Sequence, residues 1–251
     1  MTLRAALLLV STALLAACVS TGHLDPMKTD KGRDAARDAY IELGIGYLKE
    51  GSTENAKVPL KQALELDPSN ADAHAALALV FQTEREPELA DQHYRKALSS
   101  RSDSRILNNY GGFLYEQGRY KDAYERFLQA AEDNLYPERS RVFENLGLTA
   151  LKLNNPALAK QQFDKSLRLE RRQPRALLEM AQLSFDEKQY VPARDYYDRF
   201  SKISPQNARS LLLGSRLATI FEDRDQAASL GLQLKRLYPG TPEYQQYLSE
   251  Q

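Results

Sequence analysis

The sequence predicts an all-α fold, an α-solenoid of stacked helical hairpins, and three observations carry that reading. From about Arg37 the chain resembles itself at intervals near 34 residues. One column of that period is alanine six times over, at Ala56, Ala90, Ala123, Ala159, Ala193 and Ala227. Another column is always small, at Gly44, Ala78, Gly111, Gly147, Ala181 and Ser215. A fixed period of this length marks a unit that cannot bury its apolar face alone and must stack on its neighbours. Small residues at fixed places let two helices cross closely, and larger ones fill the holes between them.

Taken in order, residues 1–17 read as an export signal removed from the mature chain. Arg4 supplies the positive start, residues 5–10 with Leu14 and Leu15 the apolar run, and Ala16-Ala17 the small residues before the cut. The run is too short for a lasting transmembrane helix. Leu15-Ala16-Ala17-Cys18 matches the bacterial lipobox, whose cysteine is diacylated and becomes the first mature residue. Cys18 is the single cysteine of the chain and stands where the cut falls. Each buried acyl CH₂ contributes about 0.8 kcal/mol, so several chains on one residue form a stable anchor. Val19 follows it, and the lack of Asp there resembles outer-membrane sorting in Gram-negative lipoproteins, on the periplasmic face. Residues 18–36 read as the lipidated start and a flexible tether, polar and interrupted by Gly22, Pro26 and Gly32.

Six units follow, at 37–70, 71–103, 104–137, 140–173, 174–207 and 208–241. Counted from Arg37, Leu43-Gly44, Tyr47, Ala56, Leu60, Ala63 and Pro68 fall at positions 7, 8, 11, 20, 24, 27 and 32. This set resembles the tetratricopeptide (TPR) pattern, which implies two antiparallel helices per unit. Position 24 holds Leu60, Tyr94, Phe127, Phe163 and Tyr197, and departs only at Gly231. The closing proline survives as Pro68, Pro205 and Pro239 but is replaced at Ser102, Leu135 and Arg171, and Glu138-Arg139 are inserted before the fourth unit. Residues 242–251 suit a short C-terminal helix that caps the last repeat.

Composition narrows the function. Lys plus Arg and Asp plus Glu both number 34. A neutral chain lacks the excess of cations that phosphate contacts need, so no nucleic acid is expected as partner. One cysteine forms no intramolecular disulfide. Gly44-Ile45-Gly46 and Gly111-Gly112 do not extend to a phosphate-binding glycine motif, no nucleophile elbow occurs, and His74 and His93 lack a metal-ligand spacing. The expectation is a protein that is no enzyme, with no cofactor, no metal and no small-molecule substrate.

The resemblance implies that positions 2, 5, 9, 12 and 13 of each first helix face the concave side. In the first unit Ile41, Ile45 and Leu48 form a stripe at i, i+4, i+7 on one helical face. Ala75 and Leu79 continue it in the second unit. Two readings stand: a groove for a partner's helix or extended segment, or a stripe covered by residues 34–39 or by the next repeat. Farther on the face turns polar, through Asn108, Tyr115, Arg141, Glu144, Arg175, Gln182 and Arg216. Arginines there suit either an acidic peptide or a solvated surface.

A lipobox followed by six such repeats resembles one family, the type IV pilus biogenesis lipoproteins that act as secretin pilotins. The run from Asn108-Asn109-Tyr110-Gly111-Gly112-Phe113 through Tyr120 is similar to that family's third repeat, and Leu43-Gly44-Ile45-Gly46-Tyr47-Leu48 to its first. Tyr115 stands where several relatives have cysteine. The resemblance implies an outer-membrane lipoprotein that binds the pilus secretin and promotes its localisation and multimerisation. The alternative is an adaptor that docks peptidoglycan hydrolases or synthases.

Overall fold

A computed structural model describes residues 26–250, so the export signal and Cys18 lie outside the described residues. After a 3-10 turn at Pro26–Lys28 come thirteen α-helices, and no strand occurs among the described residues. The chain divides into two compact units, Met1–Ser100 and Arg101–Gln251. Unit 1 holds two helical hairpins: α1 (Asp30–Lys49) with α2 (Thr53–Leu66), and α3 (Ala71–Thr83) with α4 (Pro87–Ser100). Unit 2 holds four: α5 (Ser104–Glu116) with α6 (Tyr120–Ala131), α7 (Arg139–Lys152) with α8 (Pro156–Leu169), α9 (Pro174–Asp186) with α10 (Tyr190–Ser201), and α11 (Ala208–Ile220) with α12 (Arg224–Leu237). The cap α13 (Pro242–Ser249) packs on α11 and α12. The six hairpins and terminal helix expected from the period are present.

Local chemistry starts and stops each helix. Asn70, Asp103, Asn155, Asn207, Asp223 and Thr241 accept backbone N–H groups in the first turns of their helices, satisfying donors that have no intrahelical partner. Proline opens α4, α8, α9 and α13, where its missing N–H costs nothing. Every hairpin turn has one geometry. The residue at position 15 is left-handed in all six repeats: Gly51, Arg85, Gly118, Asn154, Lys188 and Glu222, with φ between 57° and 76°. In each, the next N–H bonds back to the carbonyl at position 11, as Ser52 to Tyr47 at 2.8 Å and Gln189 to Ser184 at 2.8 Å. That pair of features is the Schellman motif.

One expectation changes at the start. Residues 30–36 are helical rather than tether, because α1 begins at Asp30. Thr29 caps it by accepting the Gly32 N–H at 3.0 Å, and Asp30–Arg33 and Asp34–Arg37 ion pairs follow. An early cap and two i,i+3 pairs outweigh one glycine.

Within each hairpin, position 8 receives the side chain at position 24. A Cβ on Gly44 would stand 2.5 Å from Leu60 Cγ, on Gly111 2.7 Å from Phe127 Cδ1, and on Gly147 2.5 Å from Phe163 Cε1. Tyrosine at position 24 goes with alanine at position 8, and its hydroxyl leaves for a polar partner: Tyr94 donates to Gln82 and Tyr197 to Gln206. The exception at Gly231 has a cause. Tyr247 of the cap lies where a Gly231 side chain would stand, within 2.0 Å of an ideal Cβ, so an aromatic still fills the place. The alanines of position 20 are fully buried in the first five repeats.

Two predictions follow from this packing. Gly147→Ala should lower stability by about 1–3 kcal/mol through overpacking on Phe163, whereas Gly46→Ala, with open space around it, should raise it by about 0.5–1 kcal/mol. Lys188→Gly should relieve a left-handed lysine and add about 0.5–1 kcal/mol. Urea-unfolding midpoints of the three variants read both.

Candidate functional site

In unit 1 the expected stripe is divided between buried and accessible residues. Ile41 is only 7% exposed and packs on Ala63 and Ala73, so it belongs to the contact between repeats rather than to a groove. Ala75 is likewise buried. The cause is geometric: within unit 1 the position-5 side chain of the first helix leans on Ala73 of the next repeat, and the sequence pattern gives no depth. Ile45 and Leu48 are half-buried beside Ala76, Leu77 and Val80, and Leu79 is half-buried on α3, leaving these three with accessible apolar surface. Leu43, at position 7 on α1, is 49% exposed. Its counterparts Leu77, Tyr110, Leu146 and Met180 are buried. In the later repeats position 7 is a packing position, and the first repeat has none before it.

The two histidines of unit 1 meet. His74 Nδ1 and His93 Nδ1 are 3.0 Å apart, and His74 Nε2 lies 3.1 Å from the Pro68 carbonyl. Since that carbonyl only accepts, His74 carries its proton on Nε2 and accepts at Nδ1 from His93 Nδ1–H. Both rings are neutral in this arrangement. Burial, and the repulsion that a second proton would meet from a protonated His74 and from Lys96, pushes His93 down to about 4, and burial lowers His74 as well. No group of three or more His, Cys, Asp or Glu suited to a metal occurs among the described residues.

In unit 2 the polar face is knitted by its own acids. Asn145 Nδ2 donates to Asn108 Oδ1 at 3.1 Å, tying α7 to α5. Tyr115 is half-buried, edge-on to Tyr120 at 5.3 Å, and burial raises its phenol. Exposed Arg141 pairs with Glu138 at 3.3 Å. Buried Glu144 accepts the Ala176 N–H at 3.2 Å and lies 3.9 Å from Arg175, and burial holds its carboxyl above the usual range. Arg209 grips Glu179 with both amino groups, and Arg216 grips Glu250 through Nε at 2.9 Å and a second N–H. The arginines that suited either an acidic peptide or a solvated surface therefore carry partners from this chain. The pairing acids stand 3, 30, 31 or 34 residues away in sequence, and the longer separations hid them from a reading by column.

Two clefts open on this unit. One of about 270 Å³ is bounded by Gly112, Tyr115, Glu116 and Phe127, with Asn145, Leu148 and Arg175 opposite. Another of about 580 Å³ lies among Phe185, Ser215, Arg216, Thr219, Ile220, Tyr247 and Glu250. Gly112, Leu148, Phe185 and Glu250 are among the cleft residues that column reading passed over. Gly112 was detectable, since its position 9 is Ile45, Leu79, Leu148, Gln182 and Arg216 elsewhere. No helix among the described residues is long and apolar enough to cross a membrane.

Comparison with known proteins agrees with the fold. Family models described as TPR repeat and tetratricopeptide repeat match residues 46–83 and residues 76–138 and 144–208. The type IV pilus assembly protein PilF of Pseudomonas aeruginosa is 66% identical over 251 residues, spanning the whole of both chains. The solved structure of Pseudomonas aeruginosa pilF is 68% identical, with a TM-score of 0.86 over 88% of this chain and 100% of that one. PilW, described as a widely conserved type IV pilus biogenesis factor, superposes with a TM-score of 0.72 at 26% identity, over 84% of this chain and 98% of its own.

The histidine pair sets a pH dependence. Unfolded histidines titrate near 6.5 while native His93 holds out to about 4, so the unfolded state takes protons first. Stability is whole above pH 6.5 and falls as pH drops toward 4. His93→Leu should flatten the difference in urea midpoint between pH 7.5 and pH 4.5 relative to the parent chain.

Proposed function

This chain belongs to the tetratricopeptide-repeat family, and from that membership and its full-length kinship with a type IV pilus assembly protein we propose that it is a lipid-anchored pilotin. It sits on the periplasmic face of the outer membrane, binds the pilus secretin, and promotes the secretin's localisation and multimerisation. The observation that carries the reading is the 66% identity to PilF over the whole chain. The repeats supply surface rather than chemistry, which suits a protein that holds another protein.

The mechanism follows from the parts. Acyl chains on Cys18 hold the N-terminus at the bilayer, at about 0.8 kcal/mol per buried CH₂. The residues from Cys18 to the cap at Thr29 set how far the folded body stands from the lipid. The accessible surface of Ile45, Leu48 and Leu79 in unit 1 takes an apolar segment of the secretin. Holding that segment near the membrane raises its effective concentration there and favours contact between secretin subunits.

The test is genetic and biochemical. Cys18→Ser should shift the protein out of the outer-membrane fraction and reduce heat-resistant secretin multimers in blotted membranes by about tenfold or more. Leu48→Gln with Leu79→Gln should reduce multimers while the protein stays in place and keeps its helical circular dichroism. Normal multimers and pili in the Cys18→Ser strain would sink the proposal.

A further inference from the structure

The turns that join one repeat to the next in unit 2 come out at one edge, because each second helix ends there and the next first helix begins there. The three that close repeats four, five and six are positive. Residues 165–175 carry five cations and one acid, residues 199–209 three cations and no acid, and residues 233–243 two cations and one acid. The turns inside the same repeats, at residues 152–160, 186–194 and 220–228, hold five cations and five acids. A chain that is neutral overall has therefore gathered positive charge along one edge of this unit.

Hydrogen bonds join the three turns into one strip. Arg199 donates to the Arg171 carbonyl at 3.5 Å, and the Tyr238 hydroxyl donates to the Gln206 carbonyl at 3.2 Å. Some of the cations are engaged, Arg168 with Asp164, Arg199 with Asp195 and Arg209 with Glu179. Arg171, Arg172, Lys202, Lys235 and Arg236 are exposed and have no ion-pair partner among the described residues. The acid of the first turn is turned inward, since Glu170 accepts the Arg172 N–H at 2.9 Å.

Apolar side chains stand among these cations. Position 30 of the three repeats is Leu169, Ile203 and Leu237. Ile203 is half-buried on the core, whereas Leu169 and Leu237, at the ends of α8 and α12, are each 52% exposed. Leu135 is more exposed still, but it stands among Glu132, Asp133 and Glu138, so the strip ends before it.

Leucines interleaved with cations distinguish one partner from another. A soluble polyanion neutralises the cations and leaves the leucines in water. A bilayer interface offers phosphates at the level of the cations and acyl chains just below them, and the long stems of Lys and Arg span the two layers. Anionic lipids attract each cation near the surface with about a fivefold gain in affinity.

We propose that this edge of unit 2 lies on an anionic phospholipid surface, with Arg171, Arg172, Lys202, Lys235 and Arg236 at the phosphates and Leu169 and Leu237 at the acyl boundary. The contact goes beyond the acyl anchor on Cys18 and does not depend on it, because every residue in it belongs to unit 2. It orients that unit, so that the turns inside its repeats face away from the lipid.

Vesicle co-sedimentation tests this, using the mature chain, residues 18–251, with Cys18→Ser so that no acyl group holds the protein. Vesicles of phosphatidylcholine with about one-third phosphatidylglycerol should bind it saturably at about 0.1 M salt. Pure phosphatidylcholine, or about 0.5 M salt, should weaken binding about tenfold or more. Arg171→Gln with Arg172→Gln should weaken it by about tenfold or more, and Leu169→Ser with Leu237→Ser several-fold, with circular dichroism unchanged. Lys152→Gln with Lys160→Gln, in a turn at the opposite edge, should bind like the parent chain. The proposal falls if neutral and anionic vesicles bind alike, if neither binds, or if the arginine pair of substitutions has no effect. It falls also if the leucine substitutions have no effect while poly-glutamate displaces the vesicles, for the strip then serves an acidic polypeptide. Failure of the lipid-anchor reading would leave all of these results unchanged, since the tested chain carries no acyl group.

Discussion

Close crossing of the two helices in each hairpin is the constraint on which the structure rests. The alanines at position 20 are fully buried in the first five repeats, and at position 8 no bulky side chain is tolerated, because the residue at position 24 fills that volume. Where it is Leu60, Phe127 or Phe163, even a Cβ at position 8 would collide. Where it is Tyr94 or Tyr197, the hydroxyl turns to a glutamine and alanine fits. The rule also governs the end of the chain. The last hairpin has Gly231 at position 24, and Tyr247 enters from the cap to complete the core with Leu230 and Leu234. Solenoids need a terminal element that closes the final apolar face, and this one closes it with a ring.

Packing of this kind leaves little to the hairpin turns except a reversal of direction. All six turns adopt one Schellman geometry, although only two have glycine at the left-handed position. Arg85, Lys188 and Glu222 adopt it without glycine's freedom, each donating its own N–H within the turn. Tertiary contacts routinely impose a backbone conformation that a residue alone would avoid.

The first-helix faces offer a partner only what packing leaves over. In unit 1 the remainder is part of Ile45, Leu48 and Leu79, together with Leu43, which has no preceding repeat to cover it. In unit 2 it is two clefts and a set of arginines already engaged with acids of the same chain. Pairs such as Arg209 with Glu179 join neighbouring first helices, so the charges that look available in sequence also hold the face in shape. A ligand at such a face competes with internal partners, and its affinity is a difference between two ion pairs rather than the strength of one.

The period, the helix pairs and the terminal helix were legible in the residues, because repeats write their packing rule into columns that need only local comparison. Ala56 and its five counterparts, or Gly44 facing Leu60, state that rule without any coordinates. The exposure of single side chains was not legible. Ile41 and Leu43 sit two residues apart on one helix, and which of them is covered depends on the repeat that follows and the repeat that is missing before. The partners of the arginines were hidden for the same reason, since Glu179 meets Arg209, and Glu250 meets Arg216, only after the helices have stacked. Sequence determined the elements and their order. The tertiary structure decided which faces stay open, because burial and ion pairing are properties of surfaces brought together across many residues of chain.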